Sequence, residues 1–141
     1  MILKSEFLPK VLQYLKMNDK QILNFSKALN KLKNFCSIKV ENERDMAGII
    51  QAFEYTFEQA WKTFQKVSQT QGLIARSPKE SIEAAFQLGL IDISEEECWL
   101  QMLEDRNLTS HTYNEETAKK IFEKIINSYL NALSQAFSRF K

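Results

Sequence analysis

Four residues within one short stretch have side chains suited to chemistry on phosphate esters: Arg106, Asn107, His111 and Tyr113. Arg106 presents planar, permanently charged donors that match a phosphate. His111 is the single histidine of the chain, and a histidine with a pKa near ~6.5 gives or takes a proton at neutral pH. Asn107 is placed to orient either group or a ribose hydroxyl. Tyr113 supplies a phenol that binds, stacks or is itself modified. The same residues have plainer uses. Arg106 has Glu104 and Asp105 as neighbours for an ion pair, Tyr113 stands where it would pack at the start of the next helix, and one titratable group is weak evidence for a site.

Geometry constrains what this stretch does. Arg106 and His111 lie five residues apart, which on a straight helix is about 140° of rotation, so they share no face. The intervening Asn107, Thr109 and Ser110 compete with the backbone for hydrogen bonds, and the helix is expected to end or kink between Arg106 and His111. Beyond it, His111 and Tyr113 are two apart and point to one side in extended backbone. Metal-independent cleavage of RNA through the 2′-hydroxyl calls for a general base and a general acid, and one histidine supplies only one of them. A ribonuclease reading therefore predicts a homodimer whose isologous interface brings two copies of the stretch together.

The elements that position this stretch read as helices. The chain has 141 residues, 44% of them hydrophobic and 26% charged, with three Gly and two Pro. That length supports one domain spanning 1–141 with a sizeable core, and so few breakers favour long helices over a β-sandwich or a Gly-rich nucleotide turn. Cys36 and Cys98 lack any CxxC partner, and two thiols with one histidine are too few for a zinc site from one chain; the residues call for no cofactor. No window approaches the roughly 18 consecutive apolar residues of a membrane span, and the first residues lack a signal-peptide pattern, so a cytoplasmic location is expected. The net charge of +1 is unevenly spread: residues 1–40 carry +6, 41–116 carry −9 and 117–141 carry +4. Basic ends around an acidic middle suit steering of RNA or an acidic partner, beside the simpler reading of lysines solvated on helix surfaces.

Apolar periodicity predicts helices over 19–38, 42–71, 78–89, from just after Ser94 to about 106–108, and over 115–140. Residues 1–17, interrupted by Pro9, read as an irregular or briefly helical arm. Ile22, Phe25, Leu29, Leu32 and Phe35 make the first stripe. Met46, Ile49, Ile50, Phe53, Phe57, Trp61, Phe64 and Val67 make the second, with Glu58 and Lys62 beside it as an ordinary ion pair one turn apart. Ser77-Pro78-Lys79-Glu80 and Ser94 with Glu97 read as capping boxes. Asn114, or Thr112 with Glu115, caps the last helix, whose stripe is Ala118, Ile121, Phe122, Ile125, Tyr129, Leu133, Ala136 and Phe140. Short connections between these elements give an all-α, antiparallel up-and-down four-helix bundle with an extra short helix.

The run Arg106-Asn107-Leu108-Thr109-Ser110-His111-Thr112-Tyr113 fits an R-x4-H-x-Y pattern and resembles the HEPN superfamily, within it the nucleotidyltransferase substrate-binding protein family. The stretches Phe53–Lys62, Ser77–Glu80 through Gly89-Leu90-Ile91, and Trp99–Tyr113 carry the resemblance in the same order, over about residues 20–135. Lys79 departs from it, standing where Arg is expected after Ser-Pro, which weakens a bidentate contact there. The resemblance implies a helical bundle that dimerises and that partners a separate minimal nucleotidyltransferase subunit, as its substrate- or nucleotide-binding partner. It also implies an alternative: a metal-independent RNase toxin of a toxin–antitoxin pair. There Arg106 would stabilise phosphorane charge, His111 would do acid–base work, Asn107 would position substrate, and Tyr113 would accept AMP as the off switch.

Overall fold

In the computed structural model, residues 20–111 and 114–140 are described, residues 108–111 by their backbone alone. The expected arm over 1–17, together with Thr112 and Tyr113, lies outside the described residues. Helix α1 spans Lys20–Ser37, α2 Glu43–Thr70 and α3 Pro78–Leu88. A 3₁₀ turn, Ile93–Glu95, leads into α4, Glu96–His111. The last helix, α5, opens as Glu115–Lys124, passes through a π turn at Ile125–Tyr129 and closes as Leu130–Ser138. These five helices make the described residues an antiparallel all-α bundle, as the periodicity predicts.

Each helix start has a local cause. The Asn42 side chain accepts the Asp45 N–H at 2.9 Å at the head of α2. Ser77 accepts the Glu80 N–H at 3.1 Å ahead of Pro78, while the Glu80 carboxylate takes the Arg76 N–H at 2.7 Å. Asn114 accepts the N–H groups of Glu116 and Thr117 at 2.9 and 3.2 Å, so Asn114 caps α5. Gly89 ends α3 at φ +77°, and Gly72 follows α2 at φ +79°; both use the left-handed conformation that glycine adopts without penalty.

The predicted capping pair Ser94 with Glu97 is corrected. Asp92 and Glu95 hold the positions instead, with the Asp92 N–H donating to Glu95 at 3.3 Å. The Ser94 hydroxyl is turned back onto the Asp92 carboxylate at 2.6 Å, a bond that holds the Asp92 carboxyl below its ordinary range. The 3₁₀ turn consumes the residues that a direct α start would have used.

The core forms where α2 meets its neighbours. Phe53, Phe57, Ala60, Phe64 and Val67 of α2 are fully buried with Phe25 and Leu32 of α1 and Trp99 and Met102 of α4. The Trp99 indole packs edge-on to Phe64, with ring centroids 5.1 Å apart. The Thr56 hydroxyl bonds the Ala28 carbonyl at 3.1 Å, tying α1 to α2. Arg139 anchors the far end of α5, donating to the Leu90 carbonyl at 2.7 Å and to Glu95 at 2.8 Å.

The π turn follows from the stripe of α5. Ile121, Ile125, Tyr129 and Leu133 succeed one another at four-residue steps, and all four are buried. Three such steps in a row drift by about 120° on a regular α-helix. The wider turn removes that drift: the Leu130 N–H donates to the Ile125 carbonyl five residues back, and both halves of α5 keep one buried face.

Candidate functional site

Arg106 emerges from α4 toward α2. Its guanidinium donates to the Glu58 carboxylate at 2.8 Å, with about a third of its side chain exposed. Glu58 also accepts the Trp61 indole N–H at 3.1 Å and faces Lys62 at 3.6 Å. One carboxylate thus accepts two hydrogen bonds, one from each of two helices, and has a lysine ammonium beside it. The Asn107 amide oxygen lies 3.4 Å from the other guanidinium nitrogen. Arg106 thus reaches a carboxylate across the bundle rather than that of the adjacent Asp105.

Asp105 faces the opposite way and is buried at 5% exposure. Its carboxylate accepts a hydrogen bond from the Tyr129 hydroxyl and a second bond from Lys124 at 3.2 Å. Burial first, and then this bond, pushes the Tyr129 phenol above its ordinary value. The Tyr129 ring stacks on Phe53 of α2, with centroids 5.2 Å apart. Consecutive residues of α4 are therefore held on opposite sides, Asp105 by α5 and Arg106 by α2. That pair of contacts fixes the rotation of α4 about its axis at the point where the R-x4-H-x-Y segment begins.

The expected break between Arg106 and His111 does not occur: the backbone stays α-helical through His111. Side-chain competition from Asn107, Thr109 and Ser110 is overridden by the helix that precedes them, and Asn114 starts α5 three residues further on. Five residues of continuous helix set the Arg106 and His111 positions about 140° apart around α4. The structure thus brings Arg106 and Asn107 together and adds Glu58, but it gives Arg106 and His111 no common face. Tyr113 is outside the described residues.

Glu58 is the partner that sequence reasoning leaves as scaffold. The available signal is its place at the edge of the α2 apolar stripe, one turn before Lys62 and beside Trp61. Trp61 is half-buried, packed against the core, and turns its N–H onto Glu58. Among the described residues no group of three His, Cys, Asp or Glu is arranged to hold a metal, and no helix is long and apolar enough to cross a membrane.

The described residues form an all-α bundle, and the R-x4-H-x-Y run of the sequence starts at Arg106, near the end of α4. Residues 20–141 match the family described as nucleotidyltransferase substrate binding protein like, and the chain belongs to that family. It is 36% identical to a Thermus thermophilus protein of known crystal structure, with a TM-score of 0.75 over 83% of this chain and 98% of that one. A probable ribonuclease HepT of Haemophilus influenzae is 34% identical over 86 residues, and this chain covers 57% of its length. The fold also matches a tri-AMPylated HEPN toxin of Shewanella oneidensis, solved in complex with its MNT antitoxin. There the TM-score is 0.71 and the identity 16%, over 86% of this chain and 96% of that one.

Proposed function

We propose that this chain is the helical, substrate- or nucleotide-binding partner of a separate minimal nucleotidyltransferase, and that it meets that enzyme through the segment from Arg106 to Tyr113. The observation that carries this reading is the setting of Arg106. A guanidinium oriented by Glu58 at 2.8 Å, with a third of its side chain exposed, is a fixed cation of the kind suited to a phosphate. Membership of the nucleotidyltransferase substrate-binding family supports the partner. Tyr113 is the residue we expect to accept AMP, a role supported by the AMP groups carried by the Shewanella oneidensis toxin.

A second reading is favoured by the continuous helix of α4: a metal-independent ribonuclease toxin acting as a homodimer. With Arg106 and His111 turned about 140° apart on one helix, a single copy does not present both to one phosphate. A symmetric pair would set Arg106 of one copy near His111 of the other. In that site Arg106 stabilises the phosphorane, His111 moves the proton and Asn107 positions the substrate. The probable ribonuclease among the relatives supports this reading.

One experiment separates the two. The chain is expressed alone and with its nucleotidyltransferase, as wild type, Arg106→Ala and His111→Ala. RNA cleavage by the wild type that both variants lose, with folding intact, supports the ribonuclease. Stable capture of the nucleotidyltransferase with no cleavage supports the binding partner. A mass increase of one or more AMP groups at Tyr113 on coexpression supports the acceptor role, and an assembled pair without the adduct refutes it.

A further inference from the structure

A shallow channel runs between α1 and the outer face of α2. It consists of two adjoining hollows, of about 270 and 400 Å³, that share Phe35 and Gly48. The floor is apolar, and at Gly48 it is open: a Cβ built there meets nothing within 4 Å. The rim is cationic. Lys31, Lys39 and Arg44 line it and are exposed. Helix α1 contributes four lysines and no carboxylate. Among the described residues Asp45 is the sole acidic one in the lining, and its carboxylate is turned onto the Glu41 N–H at 2.9 Å. The Lys31 ammonium sits 5.6 Å above the Phe35 ring, which holds a charge at the edge of the floor. Tyr55, an exposed residue at 55%, lines the inner end.

Arg44, Gly48, Gln51, Tyr55 and Glu58 recur at steps of four, three, four and three, so they share one face of α2. That face leads from the cationic mouth, past the exposed tyrosine, to the carboxylate that holds Arg106. Tyr55 and Glu58 are separated by about 4.5 Å of helix rise.

We propose that this channel is a subsite for single-stranded RNA, in which Lys31, Lys39 and Arg44 take phosphates and a base stacks on Tyr55. A cationic groove beside an accessible aromatic ring is the combination that holds unpaired nucleic acid, because every base offers a π face. A duplex keeps its bases stacked away from such a ring. A second copy of the chain is a poorer occupant, since an isologous contact would bring two cationic rims to one interface. This inference rests on the ribonuclease reading, and extends it from the reacting phosphate to the flanking strand.

The test uses the full chain and a fluorescein-labelled 12-nucleotide RNA without self-pairing, followed by fluorescence anisotropy in the Arg106→Ala background so that the probe stays intact. Tyr55→Ala is expected to weaken binding about tenfold. Lys31→Gln and Arg44→Gln are each expected to flatten the salt dependence by about 0.7 in the log–log slope. Gly48→Phe, which fills the open floor, is expected to block binding, with circular dichroism unchanged in every variant. Absence of RNA binding, or affinity indifferent to Tyr55 and Gly48, overturns the subsite. So does a fall in sedimentation mass with Tyr55→Ala, which assigns the face to a second copy. Cleavage that needs Arg106 but whose KM ignores Tyr55 refutes the subsite and leaves the ribonuclease standing. Tyr55-dependent binding without cleavage by the wild type refutes the ribonuclease and leaves the subsite standing.

Discussion

Replacing Tyr129 by Phe removes one hydroxyl from the buried Asp105 and leaves the rest of the core in place. The ring keeps its stack on Phe53 at 5.2 Å. What is lost is a hydrogen bond to a carboxylate whose side chain is 7% exposed. A bond to a charged group contributes about 1.5–3 kcal/mol. Lys124 remains at 3.2 Å and is itself nearly half exposed, so water reaches the carboxylate from that side and the cost falls toward the lower half, about 2 kcal/mol. For a chain of 141 residues that lowers Tm by about 6–8 °C. Urea unfolding followed by tryptophan fluorescence measures the loss, and a double-mutant cycle with Asp105→Asn isolates the pair. A cost below about 0.5 kcal/mol, or strict additivity with Asp105→Asn, refutes the claim that this bond sets the rotation of α4.

Three further outcomes follow from the same contacts. Glu58→Gln releases the guanidinium while lowering stability by no more than about 1 kcal/mol, because the pair is partly exposed; a pull-down with the nucleotidyltransferase, or an RNA cleavage assay, should fall with Glu58→Gln nearly as far as with Arg106→Ala. Tyr129 stays protonated where exposed tyrosines ionise: its folded pKa is raised above the ordinary value of 10.0 by burial and by Asp105, so its contribution is complete below that value and is lost as pH rises beyond it. Absorbance titration at 295 nm should show it silent until alkaline unfolding. Gly48→Ala should stabilise the chain by about 0.5–1 kcal/mol, since a helical glycine costs that much relative to alanine and its Cβ meets nothing; thermal unfolding checks it.

The helices are legible in the sequence because burial on one face imposes a period. The stripes of α1, α2 and α5 reappear in the core nearly residue for residue. Caps are legible where a short side chain and the first turn decide alone, as at Ser77 and Asn114. They are not where two starts compete, and the 3₁₀ turn moves the pair from Ser94 and Glu97 to Asp92 and Glu95. The site is half legible. Arg106 and Asn107 do lie together, but Glu58 is 48 residues away in the chain, and no local period reports which carboxylate an arginine will reach across a bundle. The expected break after Arg106 fails because local hydrogen-bond competition does not include the clamp on Asp105. The four-residue steps of α5 are in plain sight as a stripe, yet their cumulative drift is the part that calls for a π turn.

That turn has a consequence for how the family site tolerates length change. A π turn is an α-helix carrying one surplus residue. Removing one residue between Ile125 and Tyr129 would return α5 to regular winding and leave everything beyond it in register, whereas adding one there would rotate everything beyond it by about 100°. Leu133, Ala136 and Phe140 would leave the core together, and Arg139 would swing away from Leu90 and Glu95. The spacing between Lys124 and Tyr129 acts as a ruler with slack on the short side alone, at whose ends two donors from α5 close on the same oxygen of Asp105.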